Sequence, residues 1–330
     1  MSQASTTPVI ENIRARYRMF AEREAHGVSP LYEELAFRVA ESDALLQFLS
    51  TLPPIKQQPN LLFGAVKLLM GTATDANEFE HWVRSRAESI RGEILARSTQ
   101  TNEPGRCATI LPVLAGFSGP LALLEVGAAA GLCLLPDRYG YDYGRVRLLP
   151  RSECSTKPPV FPCRANEATP VPTGLPTVVW RAGIDLNPLN LSDPGEVEWL
   201  ESLVWPGQKG RLERLAAAIR VGQKSPPLVR AGDLLYDLPA LIETAPSDAT
   251  LVIFHSAVLA YLRPEDREKF AQLVQELDAV WISNEAPGVF PNIDALAAAN
   301  NPKDRFILSV DGGPVAFTGP HGQSIDWITQ

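Results

Sequence analysis

The sequence predicts an α/β protein with a mostly parallel, doubly wound sheet that ends in an antiparallel hairpin and is preceded by an all-α region. Three observations lead to this fold class. Residues 1–105 place apolar side chains at helical spacing and show no strand-like alternation. From Gly119 onward, short apolar runs alternate with helical segments, which is typical of parallel strands joined by helices. Asp311-Gly312-Gly313 joins the last two apolar runs, as in a tight turn between antiparallel strands.

The first part of the chain, 1–105, is predicted to form a helical cap or arm. Apolar residues at helical spacing, from Ile10 to Phe20, indicate a first helix that ends at Gly27. Ser29-Pro30 begins the next helix, and Glu33 is placed to complete a capping box. Further helices are expected from Ser42, from Asn60 to Gly71 and within Asp75–Arg97, before the polar loop Ser98–Gly105.

The first strand of the α/β region, 106–330, lies in the stretch Leu121–Leu135, which reads LALLEVGAAAGLCLL. Leu121–Leu124 is a short apolar run of the kind found in buried parallel strands, and Glu125 follows it directly. Gly127 and Gly131, with only alanines between them, predict a sharp turn and the start of a helix. The first N–H groups of such a helix face outward and favour an anionic or strongly polar ligand.

A proline-rich segment, 136–176, excludes a long helix after this turn. A segment of this length is either an ordered insertion or a functional lid. As a lid, it would be cut by protease at Arg151, Lys157 and Arg164 in the free protein and protected by ligand. The remaining strands are predicted at Thr177–Ile184, Leu228–Ala231, Thr250–Phe254, Val280–Ser283, Phe306–Val310 and Pro314–Phe317. Helices are predicted within 193–204, 210–219, 233–244, 264–277 and 293–299.

The composition narrows the class of partner. The chain has 330 residues, 45% of them hydrophobic, and its formal net charge of -8 disfavours a nucleic-acid backbone as partner. The first residues, MSQASTTPVI, lack the features of a signal peptide, and the longest apolar stretch, 251–262, is too short to span a bilayer. We therefore expect a cytoplasmic protein that acts on a small molecule, without a nucleic-acid or membrane partner.

The cysteines predict neither a disulfide framework nor a metal site. They show no C-x-x-C spacing, and no histidine lies at an interval suited to zinc. We expect reduced, mostly structural thiols at Cys107, Cys133, Cys154 and Cys163.

Polar residues follow the predicted strands at their carboxyl ends, the edge where open α/β sheets bind their ligands. They are Glu125, Asp185, Asp233, His255 with Ser256, and Glu285. Acidic side chains after successive strands suit a ligand that donates hydrogen bonds from ribose hydroxyls and an exocyclic amine. The turn 127–131 lacks the second glycine of G-x-G-x-x-G, which disfavours NAD.

This pattern resembles a class I S-adenosylmethionine-dependent methyltransferase with a Rossmann-like fold, from Leu121 to the end of the chain. More narrowly, the segments LLEVGAAAGL, GIDLNPLNLSDP, VWPGQ and FHSAVLAYL, with SPLYEELA and PNLLFGAV in the helical region, resemble one uncharacterised bacterial family. It is the domain of unknown function numbered 2332, and the similarity covers nearly the whole chain. The family implies a fold but no established substrate.

The resemblance implies roles for individual residues. Glu125, Gly127 and Gly131 match the methyltransferase cofactor turn, Asp185 matches the residue that holds the ribose hydroxyls, and Asp233 matches the residue near the adenine amine. His255, Ser256 and Glu285 occupy positions on the acceptor side. The sequence departs from the pattern in two places: Ala129 replaces the middle glycine, and Asp185 lies 60 residues after Glu125, where the usual spacing is about 20.

Each of these residues also has a purely structural interpretation. The two glycines could permit close packing of a helix on a strand, and Asp185 could form an Asx turn before Asn187-Pro188. Asp233 could cap a helix, and His255 could be a core residue. Glu285 could be a solvated loop carboxylate. A serine hydrolase built on Ser256 is disfavoured because no G-x-S-x-G surrounds that serine.

The function expected from the sequence is methyl transfer from S-adenosylmethionine to the oxygen or nitrogen of a small acceptor. His255 would act as a general base if the acceptor is a hydroxyl or a protonated amine. The alternative is a methyltransferase-like protein without catalytic activity that serves in binding or interaction.

Overall fold

The computed structural model describes residues 3–100, 102–150, 158–297 and 305–329. Cys154 and two predicted protease sites, Arg151 and Lys157, lie outside these ranges. The chain divides into two compact units, a helical unit of Met1–Thr101 with Asp193–Glu213, and an α/β unit of Asn102–Ser192 with Arg214–Gln330. The helical unit thus contains a second stretch of chain beyond residue 105.

The first six helices of the described residues follow one another with short connections, and the later helices are interspersed with the strands. In chain order they are α1 (Gln3–Met19), α2 (Pro30–Glu41), α3 (Asp43–Ser50), α4 (Pro59–Met70), α5 (Ala76–Ser85), α6 (Ala87–Ala96), α7 (Cys107–Leu114), α8 (Pro194–Ser202), α9 (Lys209–Lys224), α10 (Leu238–Ile242), α11 (Pro264–Gln275) and α12 (Pro291–Ala297). None of them is long and apolar enough to cross a membrane.

The strands are more numerous than the sequence predicts. They are β1 (Pro120–Val126), β2 (Gly140–Asp142), β3 (Arg147–Leu148), β4 (Val160–Pro162), β5 (Arg164–Ala165), β6 (Thr177–Asp185), β7 (Leu228–Ala231), β8 (Thr250–Ser256), β9 (Val280–Glu285), β10 (Phe306–Val310), β11 (Gly313–Thr318) and β12 (Ser324–Trp327). All seven predicted strands are present. Strands β2 to β5 and β12 were not predicted.

The helical unit begins and ends its helices largely where the sequence predicts. Ser29 Oγ accepts a hydrogen bond from the Tyr32 N–H, and Pro30 occupies the first turn of α2. The capping box is wrong, because the Glu33 carboxylate contacts His26 at 2.9 Å and the Ser29 N–H donates to Ala25 O. A π-helical turn, Phe20–Ala25, extends α1.

The core of the helical unit is rich in aromatic rings. Phe63 on α4 contacts Tyr32 with ring centroids 4.7 Å apart, and it also meets Phe79 at 5.5 Å. Trp199 on α8 is fully buried, and its indole N–H donates to Ser98 O at 3.0 Å. A Cβ added at Gly64 would lie 3.1 Å from the Trp199 ring. The glycine therefore allows α4 and α8 to approach closely.

The α/β unit is built on a nine-stranded sheet in the order β5-β12-β11-β10-β9-β8-β1-β6-β7. Strands β7, β6, β1, β8 and β9 are mutually parallel, and β10, β11 and β12 continue as an antiparallel meander. The predicted hairpin at Asp311-Gly312 is confirmed. A mixed α/β architecture with a large, mostly parallel sheet and an N-terminal helical region is thus confirmed.

One face of this sheet is apolar and is covered by α10, α11 and α12. Leu124 and Val126 of β1 pack there with Ile253 of β8 and Phe270 of α11. Because side chains alternate along a strand, Glu125 points to the opposite face from its two neighbours. The carboxyl half of β1 therefore separates an apolar face from a face that carries a carboxyl group.

The turn after β1 does not begin an α-helix, and this expectation is wrong. The chain forms two short 3-10 turns instead, Leu132–Leu134 and Pro136–Arg138. Leu132, Cys133 and Leu134 are all buried, so no solvent face exists for an amphipathic helix, and Pro136 has no N–H to continue a helical ladder. The helix predicted from Asp233 is also shorter, because Asp233–Asp237 forms turns before α10.

The proline-rich segment contains ordered structure. Strands β3, β2 and β4 form a small second sheet, in which Tyr141 and Phe161 are buried neighbours. Arg164 lies in β5, which pairs with β12, and its guanidinium contacts Asp326 at 3.1 and 3.2 Å. This placement makes Arg164 a poor protease site.

Candidate functional site

The carboxyl ends of β1, β6 and β8 meet where the order of the sheet reverses. Glu125 of β1 lies opposite Gly183 of β6 on one side and opposite Phe254 of β8 on the other. The chain leaves β1 toward β6 and returns to the other side of β1 with β8, so loops diverge at this point. Such a divergence is the usual ligand site of open α/β sheets.

Two residues at this edge have a backbone conformation that L-amino acids rarely adopt. Ala129, in the turn after β1, has φ 48°, and Ala257, directly after β8, has φ 58°. Within the described ranges the third such non-glycine residue is Asp311, in the hairpin turn. Backbone strain of this kind concentrates at functional sites.

The turn after β1 is held by the end of β6. The N–H groups of Gly127 and Ala129 donate to Ile184 O at 2.8 Å and to Asp185 Oδ2 at 2.9 Å. The Leu132 N–H donates to Asn102 Oδ1 at 2.8 Å. These donors are bonded within the protein, so they do not face outward toward a ligand. Asp185 Oδ1 also accepts from the Asn187 N–H at 2.8 Å, which is the predicted Asx turn.

Both glycines of the turn are required by packing. Gly127 has φ 70°, and a Cβ added there would collide with Val258, in the loop after β8. Gly131 has φ 71°, and a Cβ there would collide with Pro227, just before β7. Close approach of neighbouring loops thus accounts for both residues, whether or not a ligand also contacts them.

Glu125 is a buried carboxyl group with unused bonding capacity. Its side chain is 5% exposed, and Oε2 has no hydrogen-bond partner among the described residues. Burial raises the pKa of this carboxyl well above its usual range, and Cys133 and Asp185 raise it further. The positive charge of Arg106 acts in the opposite direction. A buried polar atom without a partner is rare in a protein and calls for an explanation.

Arg106 is a site residue that the sequence analysis missed. It is 9% exposed, and it donates from Nε to Pro320 O at 2.9 Å and from Nη1 to Ser256 O at 2.8 Å. Its guanidinium therefore joins the turn before α7 to the end of β8 and to the loop after β11. Gly105 and Gly322 approach each other so closely beside it that a Cβ at Gly322 would collide with the Gly105 carbonyl.

Cys133 lies next to Glu125 in the same interior. Its thiol donates to Glu103 O at 3.3 Å, and the Cys107 thiol donates to Cys133 O at 3.4 Å. A hydrogen bond with the Cys107 thiol, together with burial, raises the pKa of Cys133 well above its usual range. Both thiols are free and buried. In the part of the chain that is described, no group of three or more His, Cys, Asp or Glu could hold a metal ion.

His255 is a core residue in this structure. Its Nδ1 contacts Glu285 Oε1 at 2.7 Å, and its Nε2 accepts from the indole N–H of Trp281 at 3.0 Å. Because an indole can only donate, Nε2 is the unprotonated nitrogen and Nδ1 carries the proton. The ring also packs on Phe270, with centroids 5.5 Å apart, and its side chain is wholly inaccessible to solvent. This arrangement favours the core interpretation of His255 over a general base.

Glu285 and Ser256 differ in their surroundings. Glu285 is buried rather than solvated, and its Oε1 also accepts from the N–H groups of Val258 and Leu259 at 3.0 and 3.2 Å. It therefore fixes the loop after β8. Ser256 is half-buried on the other side of its strand, and its Oγ accepts from Asn284 Nδ2 at 2.9 Å.

Asp233 lies at the end of the neighbouring strand β7. It is half-buried, its Oδ1 accepts from the Leu235 N–H at 2.7 Å, and its own N–H donates to Asp237. The Gly232 N–H donates to Asp185 O, so the ends of β6 and β7 are directly joined. The structure thus brings Glu125, Asp185 and Asp233 to adjacent strand ends, whereas His255 and Glu285 lie on the apolar face of the sheet.

Comparison with known proteins gives a family without an assigned activity. No curated protein matches the chain. The model of one bacterial family matches residues 14–327, which is nearly the whole chain, and its description is "uncharacterized protein conserved in bacteria". On that match, together with the helical region and the sheet described above, the chain belongs to the DUF2332 family.

Proposed function

We propose that the α/β unit binds S-adenosylmethionine at the carboxyl edge of its sheet and transfers the methyl group to the oxygen or nitrogen of a small acceptor. The observation that carries this proposal is the buried carboxyl of Glu125, whose Oε2 lacks a partner at the reversal of strand order. A ligand amino group placed there would supply the missing hydrogen bond.

The order of the parallel strands supports a nucleoside ligand. Counted along the chain, the five parallel strands lie in the order third, second, first, fourth, fifth, which is the order of doubly wound nucleotide-binding sheets. This order and the acidic strand ends are the features that the sheet shares with a Rossmann-like methyltransferase. The antiparallel meander after β9 extends the sheet on the side away from this site.

The acidic strand ends can bind the nucleoside while they keep their turn contacts. The two oxygens of Asp185 accept the N–H groups of Ala129 and Asn187, and a carboxylate oxygen can accept more than one hydrogen bond, so a ribose hydroxyl can be bound as well. Asp233 has one oxygen engaged by Leu235, and its carboxylate can accept the adenine amine. Cofactor binding in this proposal therefore depends on the carboxylates and not on the N–H groups of the turn.

The chemistry needs little from the protein beyond placement. When bound, S-adenosylmethionine supplies a methyl group already activated by its sulfonium. The chain has to hold the acceptor in line with that methyl group and exclude water, which is a proximity effect. His255 does not take the acceptor proton in this scheme, because both of its ring nitrogens are engaged. The acceptor proton leaves to solvent as the products are released.

Calorimetric titration tests the binding step. S-adenosylmethionine and S-adenosylhomocysteine should bind, and NAD should not. Glu125→Gln should weaken binding of S-adenosylhomocysteine by about tenfold or more, because an amide, unlike the carboxyl, cannot release a proton and become a charged acceptor when a ligand ammonium group binds. Glu276→Gln, at an exposed position after α11, serves as the matched control and should bind as the parent does. If S-adenosylhomocysteine gives no heat, or if NAD binds equally well, the cofactor assignment is wrong.

A second function, cofactor binding without catalysis, is favoured by one observation. The buried and fully engaged ring of His255 removes the base that the sequence suggested. Transfer of a labelled methyl group to a panel of small hydroxyl and amine compounds distinguishes the two. Turnover supports the methyltransferase, and tight binding without turnover on any acceptor supports the binding protein.

A further inference from the structure

Two backbone carbonyls of the α/β unit lack their helical hydrogen-bond partner because the residue four positions later is a proline. Leu132 O, in the turn after β1, would accept from the N–H of residue 136 in an α-helix. Ala108 O, in α7, would accept from that of residue 112. Pro136 and Pro112 have no N–H to donate. Because Leu132 and Ala108 are both buried, each carbonyl needs a donor from elsewhere in the protein.

Tyrosines at alternate positions in and beside β2 supply these donors. Tyr139, Tyr141 and Tyr143, the β2 tyrosines, share one face of the chain because side chains alternate along a strand, and all three are buried. The Tyr139 hydroxyl donates to Leu132 O at 2.8 Å. The Tyr143 hydroxyl donates to Ala108 O at 2.7 Å. Tyrosine hydroxyls thus take the place of the two N–H groups that the prolines lack.

Further side chains hold the two 3-10 turns after β1. The Tyr141 hydroxyl donates to Pro136 O at 2.7 Å. Arg181 of β6 donates from Nη1 to Leu134 O at 2.9 Å, and its guanidinium contacts the Asp137 carboxylate at 2.8 and 3.1 Å. The conformation of the chain after β1 therefore depends on donors from β2 and β6, where an α-helix would use its own backbone.

We infer that the β2 tyrosines buttress the turn after β1 and that Tyr139 is a positioning residue for the ligand edge of the sheet. Its hydroxyl fixes Leu132, three residues after Ala129, and the Ala129 N–H donates to Asp185 Oδ2 at 2.9 Å. Ala129 has φ 48°, a conformation that persists only where the surrounding structure holds it. The inference rests on the proposed function, in which Asp185 accepts the ribose hydroxyls of the cofactor.

Two matched hydroxyl deletions separate positioning from a purely structural role. Tyr139→Phe and Tyr143→Phe each remove one oxygen from the same face and leave one buried carbonyl unpaired, so both should lower the denaturation midpoint. Only Tyr139→Phe should weaken binding of S-adenosylhomocysteine, by roughly threefold to thirtyfold, because its carbonyl partner lies in the turn that contacts Asp185. Tyr143→Phe is the control and should bind as the parent does. Equal affinity of the two variants would overturn the positioning role.

Hydrogen exchange on the protein without cofactor tests the buttress independently of the proposed function. Tyr139→Phe should speed amide exchange in residues 127–134, whereas Tyr143→Phe should speed it in α7. Unchanged exchange in 127–134 would overturn the inference. If the exchange result holds but S-adenosylhomocysteine does not bind the parent protein, the buttress is supported and the proposed function fails. Should Tyr139→Phe not fold, Tyr141→Phe takes its place, since its hydroxyl holds Pro136 O in the same part of the chain, and parental affinity there overturns the inference.

Discussion

The buried carboxyl group of Glu125 lowers the stability of the folded protein as the pH rises. Burial raises its pKa well above the usual value of 4.5, so between that value and the raised folded-state pKa the folded protein holds a proton that the unfolded chain has released. The stabilising contribution of this proton is complete below pH 4.5 and is lost as the pH rises through the folded-state pKa. The titratable neighbours that act on this pKa are Cys133, Asp185 and Arg106, and the carboxyl in turn raises the pKa of the buried Tyr139 phenol.

Replacement of Glu125 by glutamine should therefore stabilise the free protein. Glutamine matches the protonated carboxyl in shape and carries no proton that must be retained. The stability difference between Glu125→Gln and the parent should grow by about 1.4 kcal/mol per pH unit above 4.5, up to the folded-state pKa, and vanish below 4.5. Chemical denaturation at a series of pH values measures it. A difference that does not vary with pH would contradict the buried, protonated state.

His255 should matter for stability rather than for chemistry. Asn cannot bridge Trp281 and Glu285 as the imidazole does, so His255→Asn leaves buried polar groups unpaired. We expect a loss of about 2 kcal/mol or more, with cofactor affinity unchanged in the folded fraction. His81→Asn, at an exposed position, should cost almost nothing. Parental stability combined with lost methyl transfer would instead restore the general base.

For single residues, the sequence predicts which residue types lie at the site better than it predicts their hydrogen-bond partners. The acidic residues at the strand ends can be predicted because the apolar runs stop at them. The burial of His255 can be predicted in part, since it lies two residues after Ile253 on the same face of the strand, and Ile253 packs in the apolar face of the sheet. The place of Arg106 in the site cannot be predicted, because its hydrogen bonds are to Ser256 and Pro320, which are 150 and 214 residues away in the chain.

Among the elements, the five parallel strands follow from sequence, and most of the shorter strands do not. Each parallel strand contains apolar residues and is recovered within a few residues, including the four-residue edge strand β7. Strands β2 to β5 have two or three residues each, which is too short for an alternation to show. The helix expected after Gly131 failed for a different reason. Glycine and alanine fit a helix start, but the following residues are buried on all sides.

The hairpin turn gives a prediction about backbone conformation. Asp311 and Gly312 both have positive φ, 50° and 79°, as a type I′ turn requires. Gly312→Ala should destabilise the protein by about 1 kcal/mol, because alanine tolerates this conformation poorly. Gly92→Ala, on the exposed surface of α6 with open space around it, should instead stabilise by about 0.5–1 kcal/mol. Denaturation midpoints of both variants test the sign, and two changes of the same sign would contradict this account.

For the molecule as a whole, the least predictable feature was which segments of the chain make up each of the two units. A boundary near residue 105 follows from the change in pattern along the chain, but α8 belongs by contact to the helical unit. Its sequence, PGEVEWLES, looks like any surface helix of an α/β fold. Gly64 on α4 and the Ser98 carbonyl contact its Trp199, and no local pattern in these segments predicts the pairing.

Trp199 should therefore stabilise the helical unit, although it lies far along the chain from the first six helices. Trp199→Ala should cost about 3–5 kcal/mol, since the side chain is fully buried and its removal leaves a cavity beside Gly64. Trp199→Phe keeps part of the packing but loses the bond to Ser98, so its cost should be smaller. Urea denaturation of the full chain ranks the variants. An alanine variant as stable as the parent would show that α8 is dispensable to the helical core.

The interleaved order of the units also affects synthesis on the ribosome. The first hundred residues leave the exit tunnel with α4 complete, but Trp199 is still untranslated. At about 5–20 residues per second, the indole follows roughly 5–20 s later. During that interval the surface around Gly64 that Trp199 will cover is open to solvent, and the nascent chain presents an apolar patch to chaperones. The helical region is thus first to be made but cannot be first to finish folding.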